Sequence, residues 1–300
     1  MFVIFSACRA SAQLIYETVW IDYDSAIEYK NLQLVPIRTK DPGGRPGPRL
    51  VSLNKAIQDG YATITERGTA STENVHWLRI NNKSNNSIYV ASGQMFTGGR
   101  QDRMVSKDTL LHPTGGDQYI PVMCIEEGRW SEKEKKIQYG NFANMKLRQV
   151  LDKSKNQVLI WKEIFTQLDA ANLKAPTFAY AALSQSKETQ IAESDYLNFF
   201  REKFRHSDST MTGFVCISGG KVLGTEIFAD KRLFYDELEP LLFGYINEAI
   251  MRGAEPILVK EEIKEFMDKI LTNETMQDEY CKTHGKVFRL NGKVIQVTAY

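Results

Sequence analysis

Two short stretches concentrate the residues able to do chemistry. In the first, Gly93-Gln94-Met95-Phe96-Thr97-Gly98-Gly99-Arg100-Gln101-Asp102-Arg103, two arginines and an amide flank a glycine pair just past an apolar run. Glycines let the backbone approach a ligand closely and present its N–H groups to an anion. Arg100 and Arg103 offer planar, permanently charged donor forks suited to phosphate or carboxylate, and Gln101 can read a hydrogen-bonding edge. The other reading is a strand-to-strand turn with solvated arginines. In the second stretch, Pro121-Val122-Met123-Cys124-Ile125-Glu126-Glu127-Gly128-Arg129-Trp130, Glu126 or Glu127 can serve as base or acceptor. Arg129 can hold an anion and Trp130 can stack on a base or sugar. Here the competing reading pairs Arg129 with a glutamate and makes Trp130 a lid on the core.

Other reactive-looking spacings argue against themselves. A phosphatase loop of the cysteine type needs five residues between cysteine and arginine, and only four separate Cys124 from Arg129. Gly219-Gly220-Lys221 lacks the Ser or Thr of a P-loop, since Val222 follows, and reads as a tight hairpin turn. His76, His112, His206 and His284 are scattered, so no metal site is indicated, and no Gly-x-Ser-x-Gly elbow occurs. No cofactor is indicated either. Cys124 and Cys216 lie in apolar, strand-like runs and read as small buried hydrophobes.

The elements around these stretches predict an α+β fold. Residues 30–130 are expected to be β-rich and antiparallel. Leu32–Ile37 alternates as a strand, 40–49 is a Pro/Gly-rich loop, and Ser52 caps a short helix that Gly60 stops. Tyr61–Glu66 is a strand. Val75–Ile80 and Ile88–Ala91 are expected to form a hairpin around a polar turn, with further strands at Met104–Leu111 and Tyr119–Ile125. The middle, 143–205, is helical. One helix carries Leu147 through Leu168, and a second is marked by Ile191, Tyr196, Phe199, Phe200 and Phe204. The tail, 213–300, is expected to run hairpin, helix, helix, hairpin, with turns at Gly219-Gly220 and Asn291-Gly292.

Bulk properties bound the function. The 300 residues balance 38 basic against 37 acidic side chains, which argues against bulk nucleic-acid or anionic-lipid binding. Nothing approaches the roughly 20 apolar residues of a membrane-spanning helix. Residues 1–12 pair an apolar run with Ala10-Ser11-Ala12, the ending of a truncated signal peptide. On that reading the chain is exported, periplasmic or secreted, with 13–300 as a single domain. The alternative is a buried first strand and a cytoplasmic protein.

Several of these residues resemble a family associated with ADP-ribosylglycohydrolases and rhodanese-phosphatase-superfamily proteins. The resemblance runs from about Leu32 to the C-terminus. It rests on Leu53, Ala56, Gly60 and Thr65-Glu66, on Gly93-Gln94 with Gly98-Gly99-Arg100-Gln101-Asp102-Arg103, and on Pro121-Val122 with Cys124-Ile125-Glu126 and Gly128-Arg129-Trp130. Gln157, Trp161 and the Gly213–Phe228 hairpin add to it. In this chain Arg100 stands where the family signature has lysine, and Asp102 where it has an amide. The resemblance implies nucleotide, ADP-ribose or phosphate-linked chemistry and one pocket shared by both arginine-bearing stretches; it carries over no activity. The expected ligand is a small anionic or nucleotide-like molecule held by Gly98, Gly99, Arg100, Gln101, Arg103, Glu126, Arg129 and Trp130. The alternatives are a hydrolase with Glu126 or Glu127 as general base, and an exported interaction module whose arginines serve only structural ion pairs. The oligomeric state is left open.

Overall fold

The computed structural model describes residues 13–43, 49–66, 75–132, 136–174, 176–204 and 208–300. The expected leader at 1–12, part of the 40–49 loop and His206 lie outside them. In chain order the first strands are β1 (Val19–Ile21), β2 (Ile27–Tyr29), β3 (Leu32–Thr39) and β4 (Leu50–Ser52), followed by helix α1 (Leu53–Gln58) and β5 (Ala62–Thr65). Next come β6 (Trp77–Asn82), β7 (Ser87–Val90), β8 (Gln94–Gly98), β9 (Arg103–Val105), β10 (Thr109–Leu111), β11 (Asp117–Cys124), β12 (Glu126–Glu127) and β13 (Ile137–Phe142). Helices α2 (Met145–Ser154) and α3 (Gln157–Ala170), strand β14 (Phe178–Ala179) and helix α4 (Lys187–Lys203) make up the middle. The tail holds β15 (Met211–Ser218), β16 (Lys221–Phe228), α5 (Lys231–Arg252), α6 (Lys260–Leu271), α7 (Glu274–His284), β17 (Gly285–Leu290) and β18 (Lys293–Ala299).

The largest sheet runs β1-β3-β15-β16-β18-β17, with β2 also paired to β3. Its central strands are apolar on both faces because both are covered. Leu32, Leu34, Phe214 and Cys216 pack toward α4 and α5, whereas Val35, Ile37, Val215 and Ile217 pack toward α6 and α7. Helix α5 is therefore buried around most of its girth, the pattern of a core helix rather than a surface one. A second sheet, β13-β8-β9-β11-β6-β5, faces a small β10-β7-β4 sheet and α1 across a separate core. The α+β assignment and the largely antiparallel pairing are as the sequence predicts.

Four local expectations change. Val75–Ile80 and Ile88–Ala91 do not pair as a hairpin: β6 joins β11 and β5, and β7 joins β10 and β4. Leu78 and Ile80 instead meet Ile88 and Val90 across the core, since burying both apolar faces rewards opposite sheets. Met104–Leu111 likewise splits into β9 and β10, one strand to each sheet. The single helix over Leu147–Leu168 is two, because Lys155 adopts φ 45° and Asn156 caps α3 by accepting from the Val158 and Leu159 N–H groups. The tail also holds a third helix, α7, between α6 and the last hairpin. Among the described residues no helix is long and apolar enough to cross a membrane.

Candidate functional site

Strand register brings the two arginine-bearing stretches together. β9 pairs with β8 on one side, Phe96 opposite Arg103, and with β11 on the other, Arg103 opposite Cys124. The Gly98–Asp102 turn therefore lies beside the chain leaving β11. The Ile125 N–H donates to the Asp102 carbonyl at 3.0 Å, and the Ser131 N–H to the Arg100 carbonyl at 3.0 Å. The turn needs a glycine where it begins. Gly98 has φ 89°, and a Cβ there would stand 2.3 Å from the Lys136 carbonyl oxygen.

Arg129 locks the two stretches to each other. Its Nε donates to Glu126 Oε2 at 2.6 Å, Nη1 to the Gly99 and Arg100 carbonyls at 3.2 and 3.4 Å, and Nη2 to the Gly98 carbonyl at 3.3 Å and Asp102 Oδ1 at 2.9 Å. A guanidinium has five N–H donors, so this set engages all of them inside the protein. Glu126 is equally occupied. It accepts from Arg129, from the Thr177 hydroxyl at 2.8 Å and from the Asp102 N–H at 3.3 Å. Burial works to raise the Glu126 carboxyl, but the bonds from Arg129 and Thr177 reverse this and hold it below its ordinary value. Burial raises the Asp102 carboxyl, and the neighbouring Glu126 adds to that. A carboxylate held low and bonded on both oxygens is a poor general base, so the geometry gives Glu126 that role no support.

The remaining predicted residues divide between frame and surface. The Arg100 N–H donates to Glu66 Oε1 at 2.7 Å, and its Nη1 donates to the Ser131 and Glu132 carbonyls at 2.9 and 2.7 Å. Gln101 is held at both ends, donating to the Glu126 carbonyl and accepting from Arg103 Nη1 at 3.1 Å. Arg103 is 1% exposed; its Nε donates to the Val75 carbonyl at 3.2 Å, while Nη2 is buried with no hydrogen-bond partner among the described residues. The Arg103 guanidinium carbon lies 5.9 Å from the Trp130 ring centroid, and Trp130 itself is 37% exposed. Trp130 is thus no core lid, and Glu127 points to solvent. Cys124 is buried and burial pushes its thiol up, the opposite of an activated nucleophile. Among the described residues no three His, Cys, Asp or Glu side chains are grouped so as to hold a metal ion.

A second constellation escaped the sequence reading. Glu226 on β16 is fully buried, accepting from Arg148 at 2.6 Å, Tyr245 at 3.1 Å, Gln296 at 2.9 Å and Thr298 at 2.6 Å. Arg148 of α2 is 1% exposed, ringed by Phe142, Tyr245 and Tyr300, and its Nε and Nη1 have no hydrogen-bond partner among the described residues. Gly93 makes room for it: φ is 92°, and a Cβ would lie 3.1 Å from Arg148 Cγ and Nε. Next to Gly93, Gln94 donates to both oxygens of buried Glu237, whose carboxyl burial pushes up to about 8. Farther along, Tyr89 bridges Gln296 and Asp108, Lys286 contacts Asp108 and Ser92 Oγ at 2.6 Å each, and Ser92 reaches Asp152 at 3.4 Å. The available signal was charge at apolar positions: Arg148 shares the buried face of α2 with Met145 and Leu151, and Glu226 interrupts a buried strand.

The model of the ARPP-1 family, the ARG and Rhodanese-Phosphatase-superfamily-associated Protein domain, matches residues 20–300. No curated protein and no solved structure matches the chain significantly.

Proposed function

The chain belongs to the ARPP-1 domain family, and we propose that it binds a small anionic or nucleotide-like molecule at the partly exposed Trp130, with the buried Arg103 behind the ring. One observation carries the reading. A buried guanidinium with an unspent Nη2 donor sits behind a tryptophan whose ring is partly open to solvent. A buried N–H donor without an acceptor is costly, and an anionic group reaching the Arg103 Nη2 offsets that cost. An exposed indole next to a guanidinium offers a stacking surface for a planar base. In this arrangement Arg129, Asp102, Glu126, Gln101 and the Gly98–Gly99 turn are the frame. Arg103 supplies charge, Trp130 stacks, and Arg100 shapes the edge.

A second reading draws support from Arg129, all of whose donors are engaged internally: the signature stretches are a structural clamp and bind no small molecule. A thermal-shift screen separates the two. Wild type and Trp130→Ala are scanned against nucleotides, ADP-ribose, sugar phosphates and inorganic phosphate. Ligand that binds only the folded state raises the melting temperature. The binding reading predicts a rise in wild type that shrinks in Trp130→Ala. No rise with any probe, or equal rises in both proteins, favours the clamp. Chromatography of the same mixtures after incubation tests the hydrolase alternative, which requires new products. Export through a leader at residues 1–12 belongs to the same proposal, and N-terminal sequencing of protein made in its host tests it; an intact Met1 rejects a cleaved leader.

A further inference from the structure

Away from the signature stretches, a cavity of about 130 Å3 is lined by Gln149, Asp152, Lys153, His284, Gly285 and Tyr300. Helix α2 supplies three of the lining residues, and the junction of α7 with β17 supplies three, Thr283 among them. Asp152 is the carboxyl of the cavity. Its Oδ1 accepts from Ser92 at 3.4 Å and its Oδ2 from the Tyr300 hydroxyl at 3.3 Å. Those bonds orient the group without saturating it, because each carboxylate oxygen has a second lone pair. Gln149 adds an amide able both to donate and to accept.

Charge on the cavity walls selects the guest. An anion entering would meet Asp152, with Asp108 behind it across Ser92 and Lys286. A cation would meet Lys153 at the wall, and behind Asp152 the ammonium of Lys286 and the guanidinium of Arg148, which offset in part the burial that raises the Asp152 carboxyl. Charges of the two signs therefore oppose each other around the opening, and what remains for recognition is hydrogen bonding. The volume is below the ~150 Å3 cavity that encloses a benzene ring, so it admits one edge of a hydroxylated ring rather than the whole ring.

We propose that this cavity binds one edge of a neutral polyol, a cyclitol or monosaccharide, whose adjacent hydroxyls donate to the Asp152 carboxylate. Two neighbouring hydroxyls match the two oxygens of a carboxylate, and the Gln149 amide meets a third. The site is separate from the Trp130 face and stands or falls independently of it.

Saturation-transfer NMR on the full chain tests this, with myo-inositol and D-xylose as neutral probes and inorganic phosphate and methylamine as charged ones. A ligand this small binds at millimolar strength. Asp152→Asn removes a charged acceptor and is expected to weaken binding about tenfold or more. Gln149→Ala, at a partly exposed position, is expected to weaken it about threefold through one neutral hydrogen bond and carries the test if Asp152→Asn does not fold. Transfer to the neutral probes that falls in the variants is the expected result. No transfer to either polyol at tens of millimolar, unchanged affinity in the variants, or displacement of the polyol by phosphate or methylamine at lower concentration would overturn the proposal.

Discussion

Replacing Arg129 by alanine measures how firmly the two signature stretches are clamped. The substitution removes partners from two carboxylates and three carbonyls at once. Asp102 and Glu126 have side chains only 8% and 6% exposed, so water solvates the abandoned charges poorly. Removing one member of a buried ion pair costs about 3–5 kcal/mol. Arg129 is 24% exposed, which lets water into part of the vacated space; the expectation falls to about 2–4 kcal/mol. Arg129→Lys keeps the charge but loses the planar fork, and should cost about half as much. Equilibrium urea unfolding followed by circular dichroism reads both values. The pH dependence has a defined sign. In wild type the depressed Glu126 carboxyl contributes stability that is present above its unfolded pKa and is lost as pH falls through its folded value. In Arg129→Ala both carboxyls are raised, so the variant loses stability as pH rises through their folded values. The gap between the proteins therefore narrows in acid. A destabilisation below about 0.5 kcal/mol, the range of an exposed surface pair, or a gap that widens in acid, would refute the clamp.

Three further predictions address the interior. Glu237 holds its proton up to about 8, above an ordinary 4.5. The folded state thus binds more protons than the unfolded one, and stability falls as pH rises across that window by up to about 1.4 kcal/mol per pH unit; Glu237→Gln should remove that slope, and parallel wild-type and variant curves would count against it. Arg148→Met strands the fully buried Glu226 and should cost about 3–5 kcal/mol in urea unfolding, with Arg148→Met/Glu226→Gln recovering most of it; an additive double variant would contradict the pairing. Cys124, Cys216 and Cys281 are buried with thiols raised chiefly by burial, so mass spectrometry should find none of the three alkylated by iodoacetamide in the native protein and all of them after unfolding.

Legibility in the sequence followed the range of the interaction. The hairpin of β15 and β16 and that of β17 and β18 turn where Gly219-Gly220 and Asn291-Gly292 indicate, because turn chemistry is local. The partners of β6 and β7 were hidden, since alternating apolar residues record that a face is buried but not which sheet buries it. At the signature stretches the two segments lie side by side, and the ion pair of Arg129 with a glutamate was one of the readings the spacing allowed. That Arg129 also spans three carbonyls depends on the Gly98 backbone conformation, which side-chain chemistry alone does not encode. The Arg148–Glu226 pair joins residues 78 positions apart, beyond any motif. It left only a charged residue on an apolar stripe as its trace.

Arg129 is spent on the frame, and under the proposed function the Arg103 Nη2 is the donor left for a guest behind Trp130. Heteronuclear NMR of the arginine Nε–H and tryptophan Nε1–H groups tests it during titration with the strongest probe from the thermal-shift screen, or with ADP-ribose where the screen yields none. The expected result is that the Arg103 and Trp130 signals shift and saturate together while the Arg129 signal stays in place. Movement of Arg129 in step with the ligand, or no movement of either Arg103 or Trp130, would contradict it.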